Sequence, residues 1–258
     1  MKKRIIPLTL LIVLLITACQ PASEPVPTAE PAPTTEPTIE PTIEPTAAPT
    51  TEPTATPIGQ IFRDDFIAEV QPGWTWMNEM PENHSITSDG LQITADDICL
   101  LGDNFQNNLL MREVPQDVSF WIETKVTADT TSNFQQASLF LYEDAENYYS
   151  VNRGYCGVCA TQGDGIYSDY MFRDEVNFNF KGVRINVDEI YLKLVVDREG
   201  KWLINYYATE PGKWVQLRKV PLLINVQQVG IGAGNCDGGQ SDENLIAVFE
   251  YFLINELD

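Results

Sequence analysis

Over roughly the last two hundred residues of the chain, apolar side chains return at every second position, and that period most constrains what it can fold into. Val118-Phe120-Ile122-Thr124-Val126, Ala137-Leu139-Leu141, Leu203-Asn205-Tyr207, and Tyr191-Lys193-Val195 set against Ile190-Leu192-Leu194-Val196 read as strands with one face on a core. Ala247-Phe249-Tyr251 alternates with Val248-Glu250-Phe252 in the same way. Turn signals punctuate these runs at Ser88-Asp89-Gly90, Gly163-Asp164-Gly165, Arg198-Glu199-Gly200 and Glu210-Pro211-Gly212. No stretch longer than about ten residues carries a helical period. About a dozen or more short strands of this kind predict an all-β domain over residues 59–258, two antiparallel sheets packed as a sandwich.

Residues 1–58 are built differently. Met1-Lys2-Lys3-Arg4 precedes an apolar run from Ile5 to Ile16 and then Thr17-Ala18-Cys19, the pattern of an export signal over residues 1–18. The run is shorter than the roughly 20 residues that span hydrocarbon, and Pro7 sits near its start, which argues against a retained transmembrane helix. From residue 19 to 58 the composition turns to Pro, Thr, Glu and Ala, with a repeat visible in Thr38-Ile39-Glu40-Pro41-Thr42-Ile43-Glu44-Pro45-Thr46. Proline removes backbone donors and fixes φ, so this disordered stalk is expected to be an extended spacer of at most about 3.1 Å per residue, roughly 120 Å overall. Ile16-Thr17-Ala18-Cys19 resembles the lipobox of bacterial lipoproteins. The resemblance implies that Cys19 becomes the first mature residue and carries a diacylglyceryl thioether and an N-acyl chain, more than one chain being what stable anchoring requires. The expected location is extracytoplasmic, on a membrane.

The chain carries a net charge of −21 at pH 7. With Lys2, Lys3, Arg4 and the six stalk glutamates set aside, the domain holds 13 basic against 31 acidic residues. Such a surface disfavours nucleic acid and anionic lipid, and is compatible with neutral glycans and bound calcium. Apart from Cys19 there are four cysteines, Cys99, Cys156, Cys159 and Cys236, an even number in a compartment that permits disulfides. Three pairings are open; Cys156-Gly157-Val158-Cys159 can close a tight loop, which would leave Cys99 for Cys236.

A family likeness rests on the order of several short motifs: Asp64-Asp65-Phe66, Gly73-Trp74-Thr75-Trp76-Met77-Asn78-Glu79, Gly90-Leu91-Gln92-Ile93, Asn108-Leu109-Leu110, Phe120 to Val126, Gln135 to Tyr142, and Phe249-Glu250-Tyr251-Phe252. In this order and spacing they resemble the concanavalin A-like lectin/glucanase superfamily, in particular the DUF1349-type domains and the C-terminal sandwich of family 43 β-xylosidases. The resemblance implies a jelly roll and a structural calcium ion between the first and last strands, with Asp65 and Glu250 as ligands and Asp64 as a further one. The chain departs from the family in carrying Ser138 where glycine is usual, His84-Ser85-Ile86 where a second tryptophan is usual, and Glu250 where aspartate is usual.

Retaining glycoside hydrolysis needs two carboxylates about 5–5.5 Å apart, and no Glu-x-Asp-x-x-Glu strand is present. Glu143-Asp144-Ala145-Glu146 reads as a solvated hairpin, and His84, without nucleophile or companion histidine, as a loop residue. Sugar binding needs flat rings bordered by amides and carboxylates. Trp74 and Trp76 share a face; Tyr148 and Asn152 lie four apart on a strand, with Arg153 beside them; Tyr155 opens a loop to Tyr170 rich in Gly, Asp and Tyr that reads as a rim. Trp121, Trp202 and Tyr251 read as core. The expected function is a surface-displayed, non-catalytic carbohydrate-binding module. A structural or adhesion protein and a glycan-active hydrolase are the alternatives.

Overall fold

The computed structural model describes residues 59–95, 108–159, 162–173, 175–176, 181–235 and 244–257. Cys19, Cys99, Cys236 and residues 1–58, expected to be an export signal and a stalk, lie outside the described residues.

Two antiparallel sheets form a jelly-roll sandwich. The first has the order β14 (Val215–Pro221), β13 (Trp202–Ala208), β12 (Glu189–Asp197), β6 (Phe120–Ala128), β16 (Ile246–Glu256), β4 (Gly90–Thr94), β3 (His84–Thr87), with β1 (Gln60–Asp64) also on β16. The second has the order β10 (Glu175–Val176), β9 (Gly163–Phe172), β8 (Asn147–Cys156), β7 (Gln135–Asp144), β15 (Gln228–Asn235), β5 (Leu109–Glu113), β2 (Trp74–Met77), with β11 (Lys181–Arg184) also on β9.

The alternation places the core where expected. Phe120, Ile122 and Val126 of β6 and Ile190, Leu192, Leu194 and Val196 of β12 meet Leu139, Leu141, Val151 and Ile231 of the facing sheet, all fully buried. Burying each such side chain contributes about 1.5–3 kcal/mol.

In β16 the simple alternation fails. A bulge between Phe249 and Tyr251 inserts Glu250 as an extra residue, so Ala247 and Phe249 face inward before it and Phe252 and Ile254 after it. Tyr251 therefore turns to the outer face. The bulge sits where β16 changes partner along one edge, from β4 at Ile246–Phe249 to β1 at Phe252–Asn255. Gly90, at φ +125°, lies against this kink, and a Cβ there would collide with the Phe249 carbonyl and the Glu250 backbone.

His84, expected in a loop, begins β3, where its ring stacks on Trp76 at 4.1 Å between centroids. Trp202, expected in the core, is 36% exposed beneath the Lys219 ammonium. Most of the stretch expected as a loop between Tyr155 and Tyr170 belongs to β8 and β9.

Candidate functional site

The residues that recognise a ligand are best sought on the outer faces of the two sheets, and these differ. Cross-strand register lays out the outer face of the second sheet in rows. One row runs Met171–Tyr148–Tyr142–Gln228–Glu113, the next Asp169–Ser150–Phe140–Gly230–Met111, and the third Tyr167–Asn152–Ser138–Gly232. An outer face of a sandwich is ordinarily wet. Here Ser138, Ser150, Asn152, Phe140, Tyr148 and Tyr167 are all buried. Phe140, Leu109 and Met111 form a small apolar cluster of their own, made possible by Gly230, whose missing side chain leaves room for the Met111 sulfur.

The other half of the face is polar and incompletely satisfied. The Ser138 and Ser150 hydroxyls and the Asn152 Oδ1 are buried without a hydrogen-bond partner. Asn152 Nδ2 donates to Asp169 Oδ2 at 2.5 Å. Burial nevertheless dominates and pushes the Asp169 carboxyl up to about 6, against the opposing pull of that bond and of the Arg218 charge. The phenol of Tyr148 is likewise raised by burial.

The outer face of the first sheet is also aromatic and charged, but its charged groups are paired within the face, Asn255 Oδ1 being a buried polar atom left without a partner there. Lys193 Nζ lies 2.9 Å from Glu123 Oε2 and 4.0 Å over the rings of both Trp121 and Trp214. Glu123 Oε1 accepts from the Tyr251 hydroxyl at 2.7 Å, and Arg63 lies over the Tyr251 ring. Lys125 bridges Glu250 at 2.5 Å and Glu189 at 3.0 Å, which pushes its ammonium up to about 12, the bond to Glu250 being the main cause. The ring faces that a sugar would stack on are capped by the protein's own cations.

Of the residues proposed for sugar binding, the structure brings Tyr148 and Asn152 together on the second sheet's outer face. The others lie elsewhere. Trp74 and Trp76 do share a face, the inner one. Trp74 packs among Phe62, Phe66 and Phe252, and its indole N–H donates to Asp64 at 2.9 Å. Arg153 projects inward and is fully buried, its guanidinium forked onto Asp164, which also accepts from Thr130 at 2.5 Å. Tyr155, half-buried, is on the same phase of β8 as Arg153. Cys156 and Cys159 are joined in a disulfide that closes the turn after β8, where Gly157 N donates to Asn133 Oδ1 at 2.6 Å. Asp169 and Ser150, which with Ser138 complete the polar face, carry no local signal that sets them apart, and Ser138 is marked only by standing where the family usually has glycine.

The carboxylates expected to hold calcium do not fit a resident ion. Both oxygens of Asp64 are taken by N–H donors: Phe66 N at 2.9 Å, Gln71 N at 2.8 Å and the Trp74 indole. This turn holds Phe66 at φ +48° with its ring fully buried. Asp65 pairs with Arg63 at 2.6 Å. Asp65 and Glu250 border a recess of about 600 Å³ with Asp89 and Glu189, in which Lys125 bridges Glu250 and Glu189. Among the described residues no group of three or more His, Cys, Asp or Glu side chains is placed to hold a metal.

Two packed antiparallel sheets with this strand order define a concanavalin A-like sandwich. The family model of the β-xylosidase C-terminal concanavalin A-like domain matches residues 63–254, and the chain belongs to that family. Among solved structures, a GH43 protein of Bacillus licheniformis is similar over 76% of this chain and 39% of its own, at 17% identity and a TM-score of 0.63. A xylan β-1,4-xylosidase of Bacillus halodurans is similar over 80% and 41%, at 17% identity and a TM-score of 0.61. The β-glucanase of Bacillus licheniformis is similar over 78% of this chain and all of its own, at 15% identity and a TM-score of 0.52. The chain thus spans about two fifths of the length of the GH43 proteins it resembles. No curated protein matches it.

Proposed function

We propose that the chain is a lipid-anchored extracytoplasmic protein whose sandwich binds carbohydrate without cleaving it, the second sheet's outer face being the recognition surface. The observation that carries this reading is the buried polar patch in which the Ser138 and Ser150 hydroxyls and Asn152 Oδ1 lack partners beside the rings of Tyr142, Tyr148, Tyr167 and Phe140. Sugars present that complement: hydroxyls for the orphaned polar atoms and C–H faces for the rings.

The placement of carboxylates supports a non-catalytic role. Within the strands whose side chains are described, this face carries Asp169 on β9 and Glu113 on β5, four strands apart. At about 4.8 Å per strand they stand roughly 20 Å apart, beyond the roughly 5–9.5 Å that either glycosidase geometry uses. Anchoring rests on the sequence around Cys19; among the described residues no helix is long and apolar enough to cross a membrane.

A glycan array probed with the chain and with its Ser138→Ala/Ser150→Ala variant tests the recognition surface. Binding by the native protein, weakened at least tenfold in the variant, is expected. A folded native chain that binds no glycan on the array would sink the reading. Anchoring is tested separately, by metabolic labelling with an alkynyl fatty acid, which Cys19→Ser should abolish together with membrane fractionation.

A further inference from the structure

The space between the sheets, where the alternation predicts apolar side chains, holds a second polar cluster at one lateral end of the sandwich. Asn205 of β13 and Arg218 of the edge strand β14 are direct ladder partners and point inward. From the facing sheet, Tyr149 and Tyr170 are likewise direct partners on β8 and β9, their rings edge to face at 5.4 Å, with Ser168 two residues along the same face. Tyr149 and Tyr170 belong to the same buried core cluster as Leu203, Leu217 and Val220, the inward neighbours of Asn205 and Arg218 along β13 and β14, and the Arg218 charge bears on both tyrosines.

These side chains are buried: Asn205 and Tyr149 fully, Ser168 and Tyr170 almost so, and Arg218 to 9% exposure. Six of their polar atoms have no hydrogen-bond partner: Asn205 Nδ2 and Oδ1, Arg218 Nη1, both tyrosine hydroxyls and Ser168 Oγ. Tyr149 Oη approaches the Ser168 hydroxyl and Tyr170 Oη the Leu223 backbone, short of bonding geometry in each case. Arg218 has no ion-pair partner among the described residues. The neighbouring carboxylates are otherwise engaged: Asp169 projects from the opposite face of β9 and accepts from Asn152, and Glu143 accepts from Asn225 N.

A buried guanidinium with no ion pair at bonding distance, in a region that holds unpartnered hydroxyls and an amide, is unfavourable unless something meets it. We propose that this inter-sheet cluster is a binding site for a small oxyanion, entered past Arg218 at the sheet edge. Arg218 supplies the charge and a planar fork suited to a carboxylate or phosphate. Tyr149, Tyr170 and Ser168 donate hydroxyl hydrogen bonds, and Asn205 offers one donor and one acceptor, which suits an anion that itself carries hydroxyls. The cluster uses the opposite phase of β8 and β9 from the outer recognition face, and the Arg218 charge reaches Asp169 on that face.

Thermal unfolding of the full chain tests this at matched ionic strength, with 10 mM sodium glucuronate, sodium phosphate, sodium acetate or glucose against a sodium chloride reference. A Tm increase of about 3–5 °C with glucuronate or phosphate, and none with glucose, is expected for millimolar binding. The larger of the two shifts distinguishes an acidic sugar from inorganic phosphate as the occupant. Arg218→Met is expected to abolish the anion-dependent shift and to melt higher than the native chain without anion, since it removes the uncompensated charge. Should that variant not fold, Arg218→Lys keeps the charge without the fork and is expected to lose at least half of the shift. Equal responses in native and variant chains would overturn the proposal, as would a crystal structure grown in excess anion that shows ordered water only at the cluster.

Discussion

The two outer faces of the sandwich are made of similar residues and behave as opposites. On the first sheet, Lys193, Glu123, Lys125, Glu189, Glu250 and Arg63 each meet an opposite charge, a hydroxyl or a ring within the same face. On the second, Ser138, Ser150 and Asn152 are more deeply buried and yet leave polar atoms unspent. Aromatic and polar content alone therefore does not mark a recognition surface. What marks it is the set of groups that folding has desolvated and not paired, because a ligand gains there what the fold gave up.

The largest effect that separates the faces comes from pH. Burial holds Asp169 near 6 in the folded chain against 3.8 for the free group, so the fold favours its protonated form. That contribution is fully present below about pH 4 and is lost as pH rises through 6, a span worth about 2 kcal/mol after allowance for partial exposure. Denaturant melts at pH 4 and pH 7 should show native stability falling by that amount relative to Asp169→Asn. A native-to-variant difference that does not change with pH would place Asp169 in a wetter site.

A smaller effect, of opposite sign to most core mutations, is expected from Ser138→Ala/Ser150→Ala. Removing two orphaned buried hydroxyls should raise stability by about 1 kcal/mol or more while weakening glycan binding. Loss of stability would show that the hydroxyls are satisfied in solution and would erase the contrast between the faces. Smaller again is Glu123→Gln on the first sheet, which loosens both Lys193 and Tyr251 and should cost about 1 kcal/mol with glycan binding unchanged. Chelation with EDTA should leave the Tm where it is, since Lys125 and the N–H donors around Asp64 already meet the carboxylates expected for calcium. A drop in Tm on chelation, restored by calcium, would refute that account.

Much of the fold is legible in the sequence because one face of each strand of the first sheet is wet and the other dry. β6 and β12 show their period plainly for that reason. β7, written Gln-Gln-Ala-Ser-Leu-Phe-Leu-Tyr, is buried on both faces, so the alternation of Ala137, Leu139 and Leu141 finds the inner face but not the burial of Ser138 and Phe140 on the other. Trp74 and Trp76 carry a different ambiguity: their shared face is readable, its direction is not. The bulge at Glu250 and the proximity of Asp169 to Asn152 depend on pairing between strands, a property of register that local pattern does not encode.

The pairing of β1 with β16 has a mechanical meaning. Tension arriving at Gly59 meets first the bond from Glu256 N to the Gly59 carbonyl and then the ladder from Gln60–Asn255 to Asp64–Phe252, rungs loaded one at a time, as in a zipper. Peeling of this kind proceeds at low force until it reaches Asp64, where one carboxylate fastens Phe66, Gln71 and Trp74 together. On the proposed anchoring, the first strand is a yielding coupling, and the knot at Asp64 is the stop that keeps such a pull from reaching the core.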